Sequence, residues 1–400
     1  MKKIKEIAWL TLLALVIGIL VGGADTLFGQ GLLWLSDLRG IYLWFLLPFL
    51  PIAGLFLVYL YQCYGGISQK GMTLVFEVGH GTESRIPKRL IPLVIFSTWL
   101  THLFGGSAGR EGVAVQLGAT ISHWFSRYFP TKNASKIFLL MGMGAGFAGL
   151  FQTPFAATFF ALEVLVVGEL ALEALYPTLV ASFLASWTSH RLGLEKFSWP
   201  LTDSISFTPL LVLQLLLLGF IFWLTGKGFA LLLTYFKKKS LAYLPNPYQR
   251  IFLFGIILSL ALFLLHSGRY TGLGTNLIET SFAGGTIYFY DWFLKLLLTT
   301  FTIAIGYQGG EVTPLFAIGA SLGVVLALLL GLPLSFVAAL GYVAVFSSAT
   351  STLWGPSLIG CEIFGWTYFP YFFLVCFVAR FFKKEISIYG AQKVILKQNK

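Results

Sequence analysis

Residues 312–361 carry no charged side chain, and Gly and Pro recur throughout that stretch. One helical crossing of a bilayer takes about 20 mostly apolar residues, so this stretch is too long for a single crossing. It must hold several packed or broken helices. Further apolar runs of crossing length lie at 7–23, 41–61, 137–162 and 204–226, with a shorter one at 251–265 that needs tilt or its flanks to span. Alternation at period two, the mark of a membrane barrel, is missing. Helices are then the backbone solution that lipid tolerates. The chain is 57% hydrophobic and only 11% charged, against about 25% charged in a soluble domain, so water is not its main solvent. The expectation is an all-α integral membrane protein.

The formal net charge of +11 does not point to nucleic acid, because the basic residues cluster at the two ends and in short loops. The bias of Lys and Arg toward the cytoplasmic side explains them better. Lys2, Lys3 and Lys5 at one end, with Lys383, Lys384, Lys393, Lys397 and Lys400 at the other, place both termini in the cytoplasm and require an even number of crossings. The first apolar run has no small-residue cleavage pattern after it and reads as a retained helix, not a signal peptide. Cys63, Cys361 and Cys376 show no C-x-x-C spacing and read as reduced packing residues. His80, His102, His123, His190 and His266 are scattered without metal-ligand spacing, so neither metal nor cofactor is expected.

An internal repeat governs the architecture. G-A-G-F-A-G-L-F-Q-T-P-F has a counterpart in F-S-S-A-T-S-T-L-W-G-P-S, with Pro154 and Pro356 offset by 202 residues (356 − 154). Gly118 and Ala119 correspond to Gly319 and Ala320, and T-L-V-F-E at 73–77 to T-N-L-I-E at 275–279. Three blocks in one order at nearly one offset indicate duplicated halves. In transporters such halves enclose the substrate near the midplane, where half-helix ends meet. The expected division is membrane helices in residues 1–64, a first repeat in 65–203, a connection with one membrane helix in 204–245 and a second repeat in 246–400. Lys237, Lys238 and Lys239 are expected in a lipid-facing or solvated loop of that connection.

A carboxylate in a long apolar context is a functional candidate by default. Glu111 sits in G-G-S-A-G-R-E-G-V. A glycine-rich turn opening a helix leaves amide N–H groups free for an anion, and the Glu111 carboxylate could occupy that position itself, leaving when protonated or displaced. Capping a helix or pairing with Arg110 accounts for it equally well at this point. Glu311, in Y-Q-G-G-E-V-T-P-L-F, opens the uncharged stretch beside Thr313, with Pro314 suited to a first helical turn. A neutral acid there can donate a hydrogen bond to an anion, while an N-cap by Glu311 or Thr313 is the plainer alternative. Glu163 and Glu362 are expected to be structural. Glu77 and Glu279 belong to the repeated T-x-x-x-E pattern, which serves folding as readily as transport.

At these residues the sequence resembles the CLC anion-transport family, from about Gly65 to Tyr389. G-R-E-G at 109–112 is similar to the family's G-[KR]-E-G-P signature, which implies that Glu111 gates the anion pathway, flanked by Gly109, Arg110 and Gly112. G-M-T-L-V-F-E from Gly71 resembles the G-S-G-I-P-E region, G-G-E-V-T-P-L-F stands where the family has G-x-F-x-P, and I-Y-G-A puts Tyr389 at the anion-coordinating tyrosine. Met72 in place of an anion-binding serine, with Glu311 and Thr313 before the second-half proline, looks like the fluoride-exporting branch. Val113 departs from the signature's proline in a way that branch tolerates. Val164 stands where many chloride/proton exchangers have an inward-facing glutamate, so their two-glutamate relay is in doubt and Glu111 is left to shuttle protons alone.

The resemblance implies a CLC-type fold of two inverted-topology repeats with tilted and broken helices, in a multi-pass inner-membrane homodimer with a pore in each subunit. The implied activity is fluoride export in exchange for protons, by a secondary transporter and not an enzyme. Glu111 would exchange protons, Glu311, Val312 and Thr313 would face fluoride, and Met72 and Tyr389 would line the central site. No regulatory domain is expected after Tyr389. A chloride/proton exchanger or passive anion channel on the same fold is the alternative. An intramembrane enzyme is disfavoured because G-x-S-x-G with a partner His, H-E-x-x-H and paired Asp motifs are all missing.

Overall fold

The structure, a computed structural model, describes residues 2–129, 131, 133–381 and 386–394. Lys383, Lys384, Lys397 and Lys400, counted above toward the basic C-terminus, lie outside the described residues. The first eight helices are α1 (Lys2–Leu46), α2 (Leu50–Leu60), α3 (Met72–Gly79), α4 (Leu90–Leu103), α5 (Glu111–Phe125), α6 (Ala134–Phe151), α7 (Pro154–Val164) and α8 (Leu175–Arg191). The next eight are α9 (Pro209–Tyr243), α10 (Pro247–Leu264), α11 (Thr275–Phe282), α12 (Asp291–Ile305), α13 (Val312–Leu330), α14 (Leu334–Thr350), α15 (Trp354–Phe364) and α16 (Phe369–Phe381). Two short parallel strands, β1 (Val166–Val167) and β2 (Lys393–Val394), tie the C-terminal segment to the end of α7.

Breaks in the apolar runs follow local chemistry. The run 137–162 is two helices and not one crossing, because Gln152 takes a left-handed φ of 56° and Pro154 opens a new helix. The run 41–61 is likewise interrupted, by non-helical torsions at Tyr42 and by a 3-10 turn at Leu47–Phe49 that contains Pro48. The uncharged stretch holds α13, α14 and most of α15. Lys237, Lys238 and Lys239 are exposed, as expected, but on the last turns of α9 and not in a loop. That helix starts at Pro209, where the Thr208 hydroxyl accepts from the Leu211 amide at 3.2 Å.

Packing repeats between the halves. Helices α1, α6 and α8 pack together as α9, α14 and α16 do, and α5 lies on α6 as α13 lies on α14. Equivalent helices of the two halves meet: α2 with α10, α5 with α13 and α7 with α15. Without a hydrophobic driving force between helices in lipid, close backbone approach through small residues supplies the packing. A Cβ on Gly118 would run into the Gly142 carbonyl, and one on Gly319 into the Gly341 carbonyl. Gly319→Ala is therefore expected to force α13 and α14 apart and to destabilise the protein by about 3 kcal/mol, read as a lower unfolding temperature in detergent. An unchanged transition would show that the two backbones are not packed this tightly.

The reciprocal contact of α7 and α15 disposes of two acidic residues. Glu163, at the end of α7, accepts from the Leu353, Trp354 and Gly355 amides at 3.0, 3.1 and 2.8 Å, and so caps α15. Glu362, at the end of α15, accepts from the Phe155 and Ala156 amides at 3.3 and 2.8 Å, and so caps α7. Each carboxylate sits at the positive end of the other helix. Both contacts are structural, in keeping with the expectation for this pair.

Candidate functional site at two facing helix starts

Two glycine-rich loops meet where α5 and α13 begin. Gly109 and Gly310 exchange both backbone hydrogen bonds as an antiparallel bridge, Gly109 N–H to the Gly310 carbonyl at 2.5 Å and the reverse at 2.7 Å. Only glycine permits this approach at Gly109, because a Cβ would stand 2.9 Å from the Gly310 oxygen and 2.8 Å from Pro314 Cδ. The bridge brings the positive ends of both helices to one point.

Glu111, the first residue of α5, is fully buried there. Its Oε2 accepts from the Thr313 amide at 3.0 Å, and the Thr313 hydroxyl is 2.5 Å from both carboxylate oxygens. The Arg110 amide adds a contact at 3.3 Å, and Arg110 Nε lies 3.8 Å from Oε1. A carboxylate of one half thus fills the place an anion would take at the helix start of the other. Glu111 and Thr313 are 202 residues apart, the offset of the repeat.

Of the expected site residues, Gly109, Arg110, Glu111, Gly112, Glu311, Val312 and Thr313 gather at this junction. Val312 and Thr313 are buried. Glu311 is half-buried, and its Oε2 lies 3.8 Å from where a Cβ on Gly112 would project. The Nε and Nη1 of Arg110 are buried without a hydrogen-bond partner among the described residues, which leaves its charge uncommitted apart from Glu111. Met72 and Tyr389 form a second group. Met72 opens α3 after Gly71, whose φ is +53°, and one turn later Phe76 packs on the Tyr389 ring with centroids 5.1 Å apart. Tyr389 is buried.

Sequence reasoning passed over Gln116. Its Nε2 donates to the Gly112 carbonyl at 3.2 Å, while its Oε1 has no partner among the described residues and faces the Gly71 turn, linking the Met72 group to the Glu111 group. The signal was available, since Gln116 follows Gly112 by one helical turn in an otherwise apolar segment. Lys227 was also missed. From α9 it donates to Ser351 Oγ at 2.8 Å and to the Ile386 carbonyl at 2.5 Å, fastening the segment that carries Tyr389.

Comparison with known proteins identifies the family. A model of the voltage gated chloride channel family matches residues 53–384. A protein of Pseudomonas syringae pv. tomato described as a chloride/fluoride channel protein is 33% identical over 396 residues, 96% of this chain and 86% of its own length. A crystal structure of a CLC-type fluoride/proton antiporter superposes with a TM-score of 0.95 at 55% identity, covering 97% of this chain and 98% of its own. A slow cyanobacterial Cl⁻/H⁺ antiporter shares the fold, with a TM-score of 0.77 at 19% identity over 93% of each chain. Several helices are long and apolar enough to cross a bilayer, α6, α9, α10 and α13 among them. The chain is a multi-pass membrane transport protein, and it belongs to the voltage-gated chloride channel family.

Proposed function

We propose that the protein is a fluoride/proton antiporter that exports fluoride from the cytoplasm. The observation that carries this reading is the Glu111 carboxylate, held by the Thr313 amide and hydroxyl as a bound anion would be. Protonation removes the charge that these donors hold, and the side chain is then free to leave the site to fluoride. On returning, it delivers its proton and displaces the anion, so one group couples the two movements. Glu311, beside Gly112, donates to fluoride when neutral, and Met72 and Tyr389 line the way onward. Two relatives support the ion, the antiporter at 55% identity and the chloride/fluoride channel protein at 33%. As a secondary transporter it works in the inner membrane with both termini cytoplasmic, and as a homodimer by family resemblance.

The test is fluoride efflux from reconstituted vesicles, followed with a fluoride electrode with and without a proton gradient. Efflux should respond to the gradient, and chloride should move far more slowly. A strong chloride preference would sink the argument from Met72 and Glu311. Thr313→Val removes the hydroxyl donor but keeps the amide. A hydrogen bond to a charged group contributes about 1.5–3 kcal/mol, so fluoride efflux should slow about tenfold in this variant.

A further inference from the structure

Away from the Glu111 junction, a cleft of about 930 Å³ opens between the loop leading into α4 and the end of α5. Its lining includes Arg85, Lys88, Arg89 and Arg127, with Trp124 among them and Glu83 as the acidic member. Glu83 is already paired with Lys70, whose Nζ lies 3.0 Å from its carboxylate. None of the four basic residues is in an ion pair among the described residues. Lys88 Nζ and the Arg127 guanidinium both lie over the Trp124 ring, 4.0 and 4.5 Å from its centroid, which holds two cations in fixed positions. The cleft is thus a concave cluster of four cations whose acidic neighbour, Glu83, is committed to Lys70.

Its surroundings belong to a membrane surface. Trp124, Phe125 and Tyr128 pack edge to face beside it, and Trp9 of α1 donates its ring N–H to the Tyr128 carbonyl at 3.0 Å. Trp9 and Tyr128 are both exposed, as are Ile4 and Ile7 on the same end of α1. Aromatic side chains of this kind mark the headgroup level. The start of α1 and the C-terminal segment share this face, since His80 at the end of α3 bonds to the Ala391 carbonyl at 3.0 Å. The basic bias of the termini assigns it to the cytoplasm, the side where anionic lipids attract basic pockets.

We propose that this cleft binds the headgroup of an anionic phospholipid from the cytoplasmic leaflet, with Arg85, Lys88, Arg89 and Arg127 on the phosphate and the acyl chains along the exposed side of α1. A free phosphate has the same charge but no tails to lay against Ile4, Ile7 and Trp9, so the lipid is the occupant. The cleft shares no lining residue with the Glu111 junction, and the proposal does not depend on which anion is carried.

The experiment is native mass spectrometry of the purified full chain with phosphatidylglycerol, phosphatidylcholine or inorganic phosphate as probe, on wild type, Arg85→Gln, Lys88→Gln/Arg127→Gln and, as a basic residue outside the cleft, Lys239→Gln. Each cation near such a surface contributes roughly a fivefold factor. Retained phosphatidylglycerol should fall about fivefold in Arg85→Gln and about twentyfold in the double variant, and stay at the wild-type level in Lys239→Gln. Arg85 is exposed and in no ion pair among the described residues, so it reports even if the double variant is unstable. Equal retention by wild type and Arg85→Gln, equal retention of phosphatidylcholine, or binding of inorganic phosphate as tightly as the lipid would each overturn the proposal.

Discussion

Vesicles reconstituted with Glu111→Gln should show proton flux no greater than protein-free vesicles, a fall of at least ~100-fold, the scale of losing a positioned proton carrier. Gln matches Glu in shape, and its carbonyl can still accept from the Thr313 amide and hydroxyl that hold the carboxylate, so the junction keeps its geometry. What it loses is the ability to take up and release a proton. The carboxylate is also the only acidic group touching the Thr313 donors among the described residues, so no neighbour is placed to substitute for it. Fluoride movement in this variant should become indifferent to an imposed pH difference. Wild-type proton flux would mean that the coupling group lies elsewhere, with Glu311 the next residue to replace.

How far the sequence reached depends on the range of the interactions. The broken second half was legible because its cause is local, an uncharged stretch of Gly and Pro too long for one crossing, whereas the break at Pro154 was not, since 137–162 reads as one apolar run until Gln152 takes its left-handed φ. Glu111 and Thr313 could be singled out, but not joined, because the bond between them spans 202 residues and exists only once Gly109 and Gly310 form their bridge. Lys295 shows the limit more sharply. In D-W-F-L-K-L-L-L it has the look of a lysine on the outer face of a helix, yet it is fully buried, donating to the Tyr270 and Gly272 carbonyls at 3.1 and 2.7 Å and to Ser107 Oγ at 2.9 Å. Two acceptors come from the loop before α11 and one from the other half, so no window of sequence around Lys295 contains the reason for its burial. It braces the loop that leads to Glu111, since the Ala108 amide donates to the Gly272 carbonyl and the Gly272 amide to Gly106.

Glu163→Ala should be the most destabilising of the substitutions considered, because the side chain accepts from three backbone amides at once. Those of Leu353, Trp354 and Gly355 open α15 inside the protein, and Glu163 is 5% exposed. A buried donor left without a partner costs about 1–3 kcal/mol, so the loss of three should total about 5 kcal/mol, even with some repair by water. Helix α15 lies against α7, whose own start is capped by Glu362, and loosening one member of the pair frees the other. Glu163→Gln keeps a carbonyl oxygen for one or two of the amides and gives up the favourable charge at the helix start, so it should lie between wild type and Ala. The reading is the unfolding temperature in detergent across the three proteins. If Ala and Gln melted alike, close to wild type, the three amides would not depend on this carboxylate, and Glu163 would be free for a role in proton movement instead.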